Sequence, residues 1–123
     1  MESSDYDPTE AQEAFRRGDY DLVLRLTMPH AKRGDSDAQT NLALLYQAGW
    51  GVDRDVLEAE RWLLKAAEQN NPVAWNNLGT LYASQFPEMR HRWNDACKCY
   101  QKAKELGLNV ADPYPPPPCS DPD

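Results

Sequence analysis

Five side chains in this sequence are of the kinds that bind metals or move electrons and protons: Cys97, Cys99, Cys119, His30 and His91. Cys97 and Cys99 stand two apart in a stretch of helical pattern. At about 100° per residue their thiols point about 200° apart and cannot bridge each other. With His91 and Cys119 they match no zinc-ligand spacing, and Cys119 stands in a proline-rich stretch. An odd cysteine count with no evident pairing reads as reduced thiols in a cytoplasmic protein. Neither histidine has surroundings that argue for acid–base work. No Gly-rich phosphate loop, His-Glu-x-x-His or Gly-x-Ser-x-Gly occurs. The expectation is a chain that is not an enzyme and holds no metal and no cofactor.

The elements that carry these residues repeat. Ala38-Gln39-Thr40-Asn41-Leu42-Ala43-Leu44-Leu45-Tyr46 is echoed by Ala74-Trp75-Asn76-Asn77-Leu78-Gly79-Thr80-Leu81-Tyr82, at a constant offset of 36 residues. Downstream, the segment around Ala59, Trp62 and Lys65-Ala66 is echoed around Ala96, Cys99 and Lys102-Ala103, one residue further on. Self-similarity at this period marks stacked helical hairpins. Ala38, Leu42, Leu45 and Tyr46 fall on one helix face, as do Val56, Ala59, Leu63, Ala66 and Ala67. Asp37 is the expected cap of the first of these helices, and Asp53 or Asp55 of the second. Gly49 and Gly51 end the first, and Asn70-Asn71-Pro72 separates the second from the next helix, over about 72–85. A last helix, over about 92–106, ends at Gly107.

Upstream, Asp7-Pro8-Thr9-Glu10 reads as a helix start and Gly18-Asp19-Tyr20 as a turn. The helix after it carries Leu22, Val23, Leu26, His30 and Ala31, and Pro29 inside it predicts a kink or a shortened first half. The chain thus divides into a disordered start over 1–6, helical hairpins over about 7–34, 37–70 and 72–107, and a disordered tail over 109–123. That tail contains six of the ten prolines, which exclude helix.

Charge narrows the partners. The 123 residues carry 13 basic and 20 acidic groups, a net −7. This sign repels phosphate backbones and anionic membranes and favours a basic peptide or basic protein patch. No apolar stretch approaches the ~18 residues of a membrane span. The acidic start, Met1 to Asp7, lacks the features of a secretion signal.

Leu42-Ala43-x-x-Tyr46-x-x-Gly49-x-Gly51-Val52-x-x-Asp55-x-x-x-Ala59-x-x-Trp62-x-x-Lys65-Ala66-Ala67 resembles the Sel1-like repeat, a cousin of the tetratricopeptide repeat. The resemblance is clear over 38–107 and weaker back to about residue 8. The copy from 72 departs from it where Ser84 to Arg92 replaces the glycine loop. The resemblance implies an all-α, short right-handed superhelix of about two and a half to three hairpins. It also implies an adaptor that holds a protein or peptide, an accessory or immunity-type partner included. By analogy with tetratricopeptide grooves, Thr40, Asn41, Leu44, Gln47, Asn76, Asn77, Thr80 and Ser84 line a concave face. There Asn41 and Asn77 clamp a peptide backbone through their amides. Arg16 and Arg17 stand at one end of that face. Trp62 falls at a family core position, and Trp50 in the glycine loop is a candidate contact anchor. The alternative is a chain that self-associates, a homodimer included, through open stack ends.

Overall fold

The computed structural model describes residues 8–84, 86–89 and 92–108. Asp7, His91, Cys119 and the segments 1–6 and 109–123 lie outside the described residues. Six α-helices follow one another: α1 (Pro8–Arg16), α2 (Tyr20–Lys32), α3 (Ser36–Ala48), α4 (Val56–Ala67), α5 (Pro72–Tyr82) and α6 (Trp93–Glu105). A 3-10 turn, Pro87–Met89, precedes α6. The described residues contain no strand. Helices pack in sequential pairs, α1 with α2, α3 with α4 and α5 with α6, and each pair stacks on the next.

The repeat is visible in the caps. Asp19 accepts the Leu22 amide at the start of α2, and Asp55, 36 residues on, accepts the Glu58 amide at the start of α4. Asp35 accepts the Ala38 amide at the start of α3. Asn71, again 36 residues on, accepts the Val73 and Ala74 amides at the start of α5. Each such oxygen satisfies an amide that the helix itself cannot. Asp35, not Asp37, is therefore the cap of α3. Asp37 lies inside its first turn, where its carboxylate accepts the Asn71 side-chain amide at 2.9 Å. The residue just before α6, Arg92, makes no side-chain capping bond and instead pairs its Nε with Asp95 at 2.7 Å.

Pro29 does not shorten α2, which runs unbroken from Tyr20 to Lys32. The carbonyl that lacks its partner is that of Arg25, one turn back, and both residues are exposed. Water can take the missing bond there, so the proline is tolerated.

The core is one continuous seam. Leu42, Leu45, Leu63, Leu78, Leu81 and Met89 are fully buried. Each stabilises the stack by roughly 1.5–3 kcal/mol relative to exposure. Alanines fill the close approaches: Ala11 and Ala14 on α1, Ala59 and Ala66 on α4, Ala96 and Ala103 on α6. Trp62 is buried, as its register requires, with the Lys65 ammonium 4.6 Å from its ring centre.

Side chains also tie one hairpin to the next. The Tyr82 hydroxyl donates to Glu60 at 2.7 Å, and the Arg92 guanidinium sits 4.2 Å over the Tyr82 ring while reaching the same carboxylate at 3.3 Å. At the other end of the helices, Gln69 Nε2 donates to Gly34 O and to Gln39 Oε1, and Gln39 donates to Ala31 O.

Candidate protein-binding groove

The turn after each first helix sets where the exposed aromatics fall. Gly49 takes the left-handed conformation, φ +76°, that ends α3. Gly51 has its Cα against the first hairpin, where a Cβ would meet the Tyr20 carbonyl oxygen at 3.1 Å. The chain here needs both glycines, and the result brings Trp50 between them onto the first hairpin. Its indole stacks on Tyr20 and meets Phe15 edge-on, with ring centres 5.0 Å apart. Trp50 is 39% exposed. The candidate contact anchor is thus part of an aromatic cluster joining α1, the start of α2 and the loop after α3. One further contact extends the pattern. Arg54, in that same loop, lies 4.5 Å over the ring of Phe86 in the next loop.

Beside this cluster lies an apolar hollow of about 180 Å³ between α1 and α3, the first helices of their hairpins. Ala11, Gln12 and Phe15 form one wall and Asn41, Leu44 and Leu45 the other, with Val23 beneath. Phe15 and Leu44 are each 39% exposed, one on each wall. Water gains by being excluded from such a pair of apolar edges, and the Gln12 and Asn41 amides beside them can fix the orientation of whatever excludes it. The exposed carboxylates of Glu10 and Glu13 stand on the same short helix, α1.

The sequence-derived residues do not all share that surface. Asn41 and Leu44 line the hollow. Asn77 takes the equivalent register on α5, half-buried, and Gln47 is half-buried near the end of α3. Thr40 is 3% exposed, and its hydroxyl donates to Ser36 O at 2.8 Å. It faces the side of α3 covered by neighbouring helices and is unavailable to a ligand. Thr80 is exposed, but its hydroxyl donates to Asn76 O and accepts from Tyr100 on α6. The Ser84 hydroxyl accepts the Phe86 amide, which shapes the following loop. Asn76 has a buried side-chain oxygen with no hydrogen-bond partner. Arg16 and Arg17 are exposed at the end of α1. Phe15 and Gln12 were missed because α1 matches the repeat poorly; an aromatic just before Gly18 was the available signal.

A second hollow, wider and about 430 Å³, lies among α4, α5 and α6. Leu64 and Trp75 line it together with Arg92 and Asp95, which are already paired with each other.

Among the described residues no group of three or more His, Cys, Asp or Glu is placed to hold a metal ion. Cys99 is buried, and burial pushes its thiol up to about 12, far from reactive thiolate. Cys97 is buried as well, at 2% exposure. No helix among the described residues is long and apolar enough to cross a membrane.

Comparison with known proteins agrees with the helical-repeat fold. Residues 36–71 and 94–108 match the family described as Sel1 repeat. Over 41 residues the chain is 44% identical to a putative Sel1-like repeat-containing protein, L18, of Acanthamoeba polyphaga mimivirus; the match covers 33% of this chain and 7% of that protein. The fold superposes on the crystal structure of a Sel1 repeat protein from Oxalobacter formigenes with a TM-score of 0.61 at 31% identity, over 71% of this chain and 35% of that one. The chain thus spans much less than two thirds of either relative.

Proposed function

We propose that this chain, which is similar to Sel1 repeats over residues 36–71 and 94–108, binds a segment of another protein in the groove between α1 and α3. The observation that carries the reading is the pair Phe15 and Leu44, exposed on facing walls of one apolar hollow. The favoured occupant is an apolar segment flanked by basic residues. An apolar side chain fills the hollow, and its Lys or Arg neighbours meet Glu10, Glu13 and the net −7 of the chain. Nucleic acid and anionic membrane are disfavoured by that same charge. Asn41 contributes an amide at the wall, and Asn77 repeats it one hairpin on.

Isolating the partner by affinity capture, then measuring its Kd for groove variants, tests the reading. Phe15→Ala and Leu44→Ala each weaken binding by roughly tenfold or more if these are anchors, as a buried apolar contact implies. An unchanged Kd in both rejects it.

Self-association is a second reading, favoured by Leu57, Leu64 and Val73, apolar and exposed on α4 and α5. Light scattering that shows a strict monomer at high concentration removes it.

A further inference from the structure

The hollow of about 430 Å³ among α4, α5 and α6 plays no part in the α1–α3 groove. Trp75, in its lining, stands about 200° round α5 from Asn77, which repeats the register of Asn41. The two hollows therefore open on different sides of the stack.

The charge at this hollow differs from that of the chain as a whole. Its lining holds Arg92, Lys98 and Lys102 against one carboxylate, Asp95, on a molecule of net −7. Arg92 is occupied, by Asp95 at 2.7 Å and Glu60 at 3.3 Å. Glu60 also accepts the Tyr82 hydroxyl. Lys98 and Lys102 have no ion pair among the described residues. Four residues apart on α6, they share one helix face, and like charges at that spacing destabilise a helix. An anion between them removes that repulsion. Apolar surface is open beside them, since Leu64 on α4 is 41% exposed and Trp75 is half-buried.

We propose that this hollow is a second binding site, and that it takes a segment of another protein in which an apolar side chain is flanked by Asp or Glu. The apolar side chain covers Leu64 and the Trp75 ring, which excludes water from both. The flanking carboxylates meet Lys98 and Lys102. This chemistry is the reverse of that argued for the α1–α3 groove, where Glu10 and Glu13 suit basic flanks. One chain then bridges two segments of opposite charge. A short acidic segment stays beside the two lysines, whereas a nucleic acid strand runs past them into the field of a −7 molecule.

The test is fluorescence anisotropy of labelled octapeptides at low salt. Each has a central Leu, Ile, Phe or Trp between Asp and Glu residues, and a counterpart carries Asn and Gln in the acidic places. At least one acidic peptide is expected to bind tenfold or more tighter than its counterpart. The Lys98→Glu, Lys102→Glu double variant, both on the surface of α6, loses tenfold or more of that affinity at an unchanged helix content by circular dichroism. Leu64→Asp weakens it as well, and Leu44→Ala, in the groove, leaves it unchanged. No acidic peptide tighter than its counterpart, an affinity indifferent to the lysine reversal, an equal loss in Leu44→Ala, or tighter binding of an oligothymidylate strand each overturns the second site. The groove is judged separately, by the captured partner and its Phe15→Ala variant.

Discussion

The indole of Trp50 lies stacked on the ring of Tyr20, with centres 5.5 Å apart and planes 9° from parallel. This contact joins the loop of one hairpin to the second helix of the hairpin before it. Gly51 allows it, by bringing its Cα against the Tyr20 backbone. Two aromatic pairs meet at Trp50, so Trp50→Ala is expected to destabilise the chain by about 1–3 kcal/mol. Hydrogen exchange in α1 and α2 should rise more than in α5. Urea unfolding combined with exchange measures both. A loss below about 0.5 kcal/mol would mean that the cluster is ornamental.

Asn71 does two jobs with one amide. Its oxygen caps α5, and its nitrogen donates to Ser36 Oγ and Asp37 Oδ1 at the start of α3. Asn71→Asp keeps the cap but sets a second carboxylate against Asp37. Asn71→Ala should cost about 1.5–3 kcal/mol, through the lost cap and the unpaired groups left behind. Asn71→Asp should recover less than half of that, as judged by the urea midpoint.

Gly79 is where α5 and α6 touch. A Cβ there would meet Tyr100 Cε1 at 2.9 Å and the Ala96 carbonyl oxygen at 3.2 Å. The ring can turn, but the carbonyl belongs to the packed helix. Gly79→Ala, which helps an isolated helix, should therefore destabilise this one by about 1–3 kcal/mol. The thermal midpoint checks the sign.

Alkali should unfold the chain early. Burial, with a smaller push from Asp95, raises the Cys99 thiol from 9.0 to about 12. Burial and the hydrogen bond to Glu60 raise the Tyr82 phenol above its ordinary 10.0. Both are neutral when folded, so their contribution is complete below pH 9.0. It is lost as pH climbs toward 12, where the unfolded chain gives up these protons first. The thermal midpoint should fall steeply above about pH 9, and less steeply in the Cys99→Ala, Tyr82→Phe double variant.

Much of the fold is legible in the 36-residue echo, because helix periodicity and capping chemistry are local. The echo even holds the cap that simple reading misplaces. Asn71 precedes Pro72, and 36 residues earlier stands Asp35, not Asp37. Asp19 and Asp55 obey the same rule and bring α2 into the repeat despite Pro29. The groove is less legible. Register alone places Thr40 beside Asn41, but the packing of neighbouring helices decides that one is buried and the other stands at the wall. Trp50 reads as an exposed loop residue because its partners, Phe15 and Tyr20, are about thirty residues away in a stretch that barely echoes the repeat. Contacts between loops carry no period.

The most direct test of the account is the affinity of the captured partner for Leu44→Glu set beside Leu57→Glu. Both replace an exposed leucine with a charge, on α3 in the groove and on α4 respectively. If the α1–α3 groove holds the partner, Leu44→Glu weakens binding by roughly a hundredfold, about 2.7 kcal/mol, and Leu57→Glu leaves it unchanged. Equal affinity in the two variants, or the larger loss in Leu57→Glu, contradicts the account.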